Sequence, residues 1–183
     1  MDRSEALALI REHVKSDKLV KHMVAVEAIM RKLAERLGED PNLWGLVGLL
    51  HDLDYEETRG DFRAHGLVSA RLLEGRLPEE ALEAIRAHNE LTGHAPQSRL
   101  AKALIAADQV SGLIVATALV MPSKRLAEVK LRSLKRKFKS KDFARSVDRG
   151  KILKYSQEIG LSLDEFLELS LEALKSVSGE LGL

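Results

Sequence analysis

Apolar residues recur at spacings of three and four along most of this chain, which is the pattern of amphipathic α-helices. Between residues 17 and 37 one such face predicts a long helix, and Gly38 is suited to end it. No segment alternates apolar and polar residues as a strand does, so we predict an all-α fold. The apolar face of the long helix consists of Leu19, Met23, Val26, Met30, Leu33 and Leu37.

The segment that follows is apolar almost all the way round. Asp40 provides a capping carboxylate and Pro41 a suitable first residue, and the helix then continues to His51 and Asp52. A helix without a polar face is usually buried on all sides, so we predict that it lies at the centre of the fold. Further helices are expected at about residues 2–13, 64–75, 78–88, 98–121, 122–139, 142–160 with a break at Gly150, and 162–181.

Composition narrows the range of functions. The chain has 183 residues and no cysteine, which suits a single domain and excludes disulfides, thiolate metal ligands and a cysteine nucleophile. The N-terminal residues are charged and do not resemble a signal peptide, and the apolar run at 113–121 is too short to span a membrane. We therefore expect a cytoplasmic protein without a membrane partner.

Several residues that can bind metals lie on apolar segments. Five of the six histidines fall between residues 22 and 94, and Asp108 interrupts the apolar run LAKALIAADQVSGLIVA. An unpaired buried charge is costly, so such an acid normally has a partner or a bound cation. Imidazole and carboxylate together suit divalent transition metals. The sequence therefore predicts a metal site built from histidine and aspartate.

The order of these residues resembles the H…HD…D pattern of the HD superfamily of metal-dependent phosphohydrolases. The pattern is carried by His22, the pair His51–Asp52 and Asp108, and by the segments LLHDLDYE, HGLVSARLL and AIRAHNE. The resemblance covers about residues 17–121. It implies one HD-domain helical bundle, with residues 122–183 forming extra C-terminal helices of the same domain.

The resemblance also implies which residues bind metal and what they do. Four residues match the ligands of a first ion: His22, His51, Asp52 and Asp108. His65 and His88 match the ligands that complete a second, so one or two ions of Mn, Fe, Co, Ni, Zn or Mg are expected. The implied activity is hydrolysis of a small nucleotide or another phosphoester by metal-activated water. Asn89 stands where the cyclic-dinucleotide branch often has a second histidine, which disfavours that substrate class.

Other residues are candidates for handling the substrate. Asp52 is the expected catalytic centre because it matches the aspartate that both metals share. Arg86 and Lys124 are candidates for neutralising charge on the leaving group, and Lys124, Arg125, Lys130 and Tyr55 for binding substrate. Asp54 and Tyr55 follow the HD pair and are candidates for orienting ligands or substrate.

Three alternatives remain open from the sequence. The protein could be a non-enzymatic sensor that binds metal or nucleotide, or a two-iron oxygenase, as a few HD relatives are. The basic segment 124–141 contains Glu128 as its only acid and could bind RNA. It has one aromatic residue and no recognised nucleic-acid motif, so we expect no nucleic-acid partner. The sequence does not decide between a monomer and a homodimer.

Overall fold

The computed structural model describes all 183 residues and contains ten α-helices, two 3₁₀ turns and no strand. The predicted all-α fold is confirmed. The helices are α1 (Arg3–His13), α2 (Asp17–Leu37), α3 (Pro41–Leu50), α4 (Leu67–Leu72), α5 (Glu79–Ala87), α6 (Arg99–Leu119), α7 (Leu131–Lys139), α8 (Arg149–Glu158), α9 (Leu163–Ser176) and α10 (Ser178–Leu181), and the 3₁₀ turns are Glu90–Thr92 and Leu126–Glu128.

Helix α3 lies at the centre of the fold, as its uniform apolarity predicted. All its residues from Trp44 to Leu50 are buried. Gly48 allows α3 to approach α2 very closely, because a Cβ at this position would lie 2.9 Å from the Val26 carbonyl oxygen and 2.9 Å from Met30 Cγ. This packing holds the C-terminal end of α3, with His51 and Asp52, against α2.

Helix α6 is the second long core helix. By length and composition alone it could cross a membrane, with a mean hydropathy of 1.4, but 67% of that apolar window is buried by the rest of the protein. It packs against α2, α5, α8 and α9. Central helices of globular folds have the same composition, so burial within the bundle accounts for its apolarity. Asp108 lies near the middle of α6.

The expected helix at 64–75 is much shorter in the structure. It begins only at Leu67, after a series of turns from residue 51 to residue 66. Gly66 has a φ of +89°, and a Cβ there would lie 2.8 Å from the Ile85 carbonyl oxygen. Glycine is thus needed for both the conformation and the close approach, and this turn places His65 beside α5.

The two helices expected at 122–139 and 142–160 also begin later than predicted. The first is a 3₁₀ turn followed by α7, and the second is only α8. Residues 140–148 instead wrap around the guanidinium of Arg149, which donates to the carbonyls of Lys137, Phe138, Ser140, Phe143, Ala144 and Val147. These bonds satisfy the carbonyl groups without a continuous helix.

A buried ion cluster connects the N-terminal helix to the rest of the bundle. Glu27 is only 3% exposed and accepts hydrogen bonds from Arg3 at 2.9 and 3.0 Å and from Arg31 at 3.0 Å. Arg3 also donates to Glu180 in α10 at 3.0 Å. Burial of Glu27 is tolerated because two guanidinium groups compensate its charge.

Candidate metal centre

Asp52 is the centre of a cluster of histidines contributed by different parts of the chain. Its carboxylate oxygens lie 3.5 Å from Nε2 of His22, 3.3 Å from Nε2 of His51, 3.3 Å from Nε2 of His65 and 3.5 Å from Nε2 of His88. These histidines come from α2, the end of α3, the turn before α4 and the end of α5. Helix packing therefore assembles side chains that are up to 66 positions apart in the sequence.

Asp108 of α6 completes the cluster. Its Oδ1 lies 3.1 Å from Nε2 of His22 and 3.9 Å from Nε2 of His51. The structure thus brings together all six residues that the sequence predicted as metal ligands. Two sets of donor atoms lie within 4.8 Å of one another: His22, His51 and Asp108, and His51, Asp52 and His88.

The Nδ1 atoms of two histidines are occupied by backbone carbonyls of the helices that they terminate. Nδ1 of His51 lies 2.8 Å from the Gly48 carbonyl oxygen, and Nδ1 of His88 contacts the Ile85 carbonyl oxygen. A carbonyl oxygen can only accept a hydrogen bond, so each Nδ1 carries the proton. In the neutral imidazoles the Nε2 atoms are therefore unprotonated and carry a lone pair.

The other two histidines are oriented by side chains. Nδ1 of His65 donates to Asp54 Oδ1 at 2.8 Å. Nδ1 of His22 lies 3.3 Å from the hydroxyl of Ser111, whose own proton goes to the Asp108 carbonyl at 2.7 Å, so the hydroxyl accepts from His22. Their Nε2 atoms also carry lone pairs in the neutral form.

When all four imidazoles are neutral, these hydrogen bonds leave the centre rich in acceptors and without a donor. Nε2 of His51 is buried and has no hydrogen-bond partner. Nε2 of His65 and Nε2 of His88 face each other at 3.1 Å, next to the Asp52 carboxylate. Buried lone pairs that face one another are stable only with positive charge between them, either a proton or a metal cation. The donor set and its orientation fit a divalent cation.

The electrostatics of the cluster keep its carboxylates ionised. Burial opposes ionisation of Asp52, but His51, His65, His88 and His22 outweigh it and hold the pKa well below its usual value. The pKa of Asp108 is lowered in the same way, chiefly by His22. Both acids are therefore available as anionic ligands near neutral pH.

The pKa values of two histidines in the cluster are shifted in opposite directions. Burial lowers the pKa of His51 to about 4, which keeps this imidazole neutral. Burial also opposes the charged form of His65, but the Asp52 and Asp54 carboxylates outweigh it and raise the pKa of His65 to about 9. A metal that binds at His65 near neutral pH must therefore displace a proton.

Asp54 has a larger part in this centre than the sequence indicated. It is completely buried, and its carboxylate accepts from Nδ1 of His65 and from the backbone N–H groups of Gly66 and Ser69, each at 2.8 Å. The sequence suggested only a loop acid that could orient ligands. The available signal was its place in HDLD, two residues after the central aspartate, beside an apolar helix end.

A cavity of about 1200 Å³ opens above the cluster, and its wall includes Tyr55, a residue that the sequence had suggested for substrate binding. The cations in this wall were not identified from the sequence: Lys18, Lys21, Arg59 and Lys151. Of these, Lys21 pairs with Asp17 at 3.1 Å and Lys151 with Glu90 at 3.3 Å, whereas Lys18 has no carboxylate partner. Two of these cations could have been identified from their positions relative to His22. Lys18 lies one helical turn before His22, and Lys21 directly precedes it.

The structure does not bring Arg86, Lys124, Arg125 or Lys130 into the wall of this cavity. The guanidinium of Arg86 is bound by Glu79 at 2.6 Å and also by Glu83, so its charge is already compensated. The other three follow the end of α6, which continues for eleven residues, or roughly 17 Å, beyond Asp108. This length carries the basic segment away from the histidine–aspartate cluster.

The structure is thus an all-α bundle with a histidine–aspartate cluster that could hold a metal ion at the floor of a cavity. The family model for the HD domain matches residues 19–113, just over half of the chain. The chain therefore belongs to the HD domain family, whose members are generally metal-dependent hydrolases. No solved structure matches this chain.

Proposed function

We propose that this protein is a metal-dependent phosphohydrolase that acts on a small phosphoester. One observation carries the proposal: four imidazole Nε2 atoms and two ionised carboxylates converge at the floor of an open cavity. A closed structural site would leave no room for a substrate, whereas this cluster lies beside a cavity of about 1200 Å³. Family membership supports the same reaction class.

The residues of the cluster divide into two groups. His22, His51, Asp52 and Asp108 would hold a first divalent ion, and His65 and His88 with Asp52 would hold a second. Bound ions would supply Lewis-acid activation of water and stabilise charge on the phosphoryl group. The chain itself keeps the Asp52 and Asp108 carboxylates ionised near neutral pH, so both would be available as anionic ligands of these ions.

Two cations of the cavity wall are suited to attract the phosphoester. Lys18 has no carboxylate partner, and Arg59 lies 4.0 Å from the nearest carboxylate oxygen, which belongs to Glu56. Positive charge at the mouth of a cavity raises the local concentration of an anionic substrate. We assign to Lys18 and Arg59 the role that the sequence had suggested for the basic segment after α6.

The proposal is tested by phosphate release from a panel of nucleotides, sugar phosphates and simple phosphoesters, with Mn, Fe, Co, Ni, Zn or Mg added. Asp52→Ala should abolish the metal-dependent release, because Asp52 contacts all four histidines of the cluster. Asp61→Ala is the matched control, since Asp61 is exposed and outside the cavity wall. A folded Asp52→Ala variant with unchanged activity would contradict the proposal.

A further inference from the structure

We propose that the substrate is a phosphoester of an apolar alcohol, whose apolar part lies along helix α6. This inference rests on the proposed phosphohydrolase function and assigns its substrate class. The cavity does not end at the metal ligands. It continues along one face of α6 through Ser111, Gly112, Val115, Ala116 and Leu119. From Asp108 to Leu119 this face extends for roughly 17 Å.

The polar groups at the start of this wall are already engaged. The side-chain nitrogen of Gln109 donates to Asp108 at 3.0 Å, and its oxygen accepts from the backbone N–H of Asp148 at 2.9 Å. The hydroxyl of Ser111 bonds His22 and the Asp108 carbonyl. Both side chains are therefore held in place by bonds within the protein.

Beyond Ser111 the α6 wall offers only glycine and aliphatic side chains, and Ala25, Leu181 and Leu183 also line the cavity. A nucleobase has several donors and acceptors, and placing them against such a wall without partners is costly. An aliphatic group has none, and its burial is favourable. The α6 wall therefore favours an apolar group over a base.

The side chain of Asn89, on the other side of the cavity, is also engaged. The side chain of Asn89 donates to the carbonyls of Phe62 and His65 and accepts from the backbone N–H of Leu91. The Asn89 amide is therefore not free to bind the polar edge of a base.

Exposed apolar surface is concentrated at the same cavity. Five large hydrophobic side chains are exposed in the whole chain. Leu91 and Leu119 line the cavity, Val120 follows Leu119, and Phe62 packs against Tyr55 of the wall. Exposed apolar groups that cluster around a cavity commonly mark a binding surface for an apolar ligand.

The reaction is balanced by water alone. The oxygen of water forms a bond to phosphorus, the bond between phosphorus and the alcohol oxygen breaks, and a proton passes to that oxygen. The products are inorganic phosphate and the apolar alcohol. The phosphoryl group lies at the histidine–aspartate cluster, and the alcohol extends along α6 toward Leu119.

The test measures binding as well as turnover. Ethyl, butyl, hexyl and octyl phosphonates, which resist hydrolysis, are titrated into metal-loaded protein by calorimetry, with nucleoside monophosphates for comparison. Affinity should rise by up to about fourfold for each methylene that the cavity buries. The corresponding alkyl phosphates should be hydrolysed with kcat/KM rising in the same order.

Two variants of the α6 wall and one control test whether the dependence on chain length arises at this wall. Ala116→Trp should fill the wall and remove the dependence on chain length, and Leu119→Ser should weaken it without a risk to folding, since Leu119 is 48% exposed. Ala8→Trp is the matched control, because Ala8 is exposed on α1 and does not line the cavity.

The outcomes separate this inference from the proposed function. Affinity that does not depend on chain length, or tighter binding of nucleotides than of octyl phosphonate, would overturn the apolar substrate and leave phosphohydrolase activity standing. Chain-length-dependent binding without hydrolysis of any phosphoester would support the apolar subsite and refute the proposed function.

Discussion

Replacing Asp54 with asparagine tests whether Asp54 orients His65 and fixes the position of its proton for metal binding. The Asp54 carboxylate faces three donors: Nδ1–H of His65 on Oδ1, and the backbone N–H groups of Gly66 and Ser69 on Oδ2, all at 2.8 Å. Asparagine has nearly the same shape, but one oxygen becomes an NH₂ group. The substitution therefore tests hydrogen bonding and charge with little change in packing.

The two backbone N–H groups decide the orientation of the new amide. They cannot turn away, so the amide oxygen of Asp54→Asn must face them, and the NH₂ group must face Nδ1 of His65. His65 then has to accept at Nδ1 and carry its proton on Nε2. That atom lies 3.3 Å from the Asp52 carboxylate and 3.1 Å from Nε2 of His88, where a metal would bind. A protonated Nε2 is not a ligand.

The magnitude follows from the role of Asp54. Removing a residue that orients a metal ligand typically weakens metal binding by about 10–100-fold. Hydrogen bonds to a charged group contribute roughly 1.5–3 kcal/mol, against about 1 kcal/mol for neutral ones. With three such bonds weakened but retained in part, we expect the free energy of unfolding of the metal-free protein to fall by ~2–4 kcal/mol.

Calorimetric titration with Mn²⁺ or Zn²⁺ gives the number of bound ions and their affinities, and ¹⁵N NMR reports the tautomer of His65. We expect the ion that His65 binds to be lost or weakened, with the proton on Nε2 in the variant. Glu57→Gln is the matched control, an exposed carboxylate-to-amide change in the same loop. Metal binding by Asp54→Asn that equals that of Glu57→Gln would refute the reasoning.

Three further predictions concern packing, charge and pH. Gly48→Ala should lower the free energy of unfolding by ~1–3 kcal/mol, because its Cβ would lie 2.9 Å from the Val26 carbonyl; an unchanged urea midpoint would argue against this close packing. Glu27→Gln should lower the free energy of unfolding by ~1–3 kcal/mol in the same urea assay, because the charge that Arg3 contacts is lost. A smaller effect than that of the same change at an exposed glutamate would contradict this prediction. Because the pKa of His65 is raised to about 9, metal binding near neutral pH should release a proton, and affinity should rise with pH up to that value by about tenfold per unit; equal calorimetric heats in buffers of different ionisation enthalpy would contradict this.

The sequence by itself determined the all-α class and the central helix. The three- and four-residue spacing predicted α2 with the bounds that the structure shows, and the uniform apolarity of residues 41–50 predicted a buried α3. These features depend on contacts close in the chain and on how much of a helix surface is apolar, and both can be inferred from a single segment. The later helices were predicted too long because tertiary bonds, such as those of Arg149, replaced helical ones.

The identity of the six clustered residues was also predicted from the sequence, through the family pattern. Their assembly was not. His22 and Asp108 lie 86 positions apart in the chain, and only the packing of α2 against α6 brings Nε2 of one to 3.1 Å from Oδ1 of the other. The protonation of each imidazole likewise depends on what its Nδ1 contacts, which includes atoms distant in sequence such as Ser111 for His22.

The substrate-handling cations show the same limit most clearly. From the sequence, Arg86 and the basic residues after α6 were chosen for their charge and their closeness to predicted ligands. The structure neutralises Arg86 with Glu79 and Glu83, and presents Lys18 and Arg59 to the cavity instead. The charge of a residue is known from the sequence. The partner that compensates this charge and the surface that the residue faces depend on how separate helices pack, so only the tertiary structure decides both.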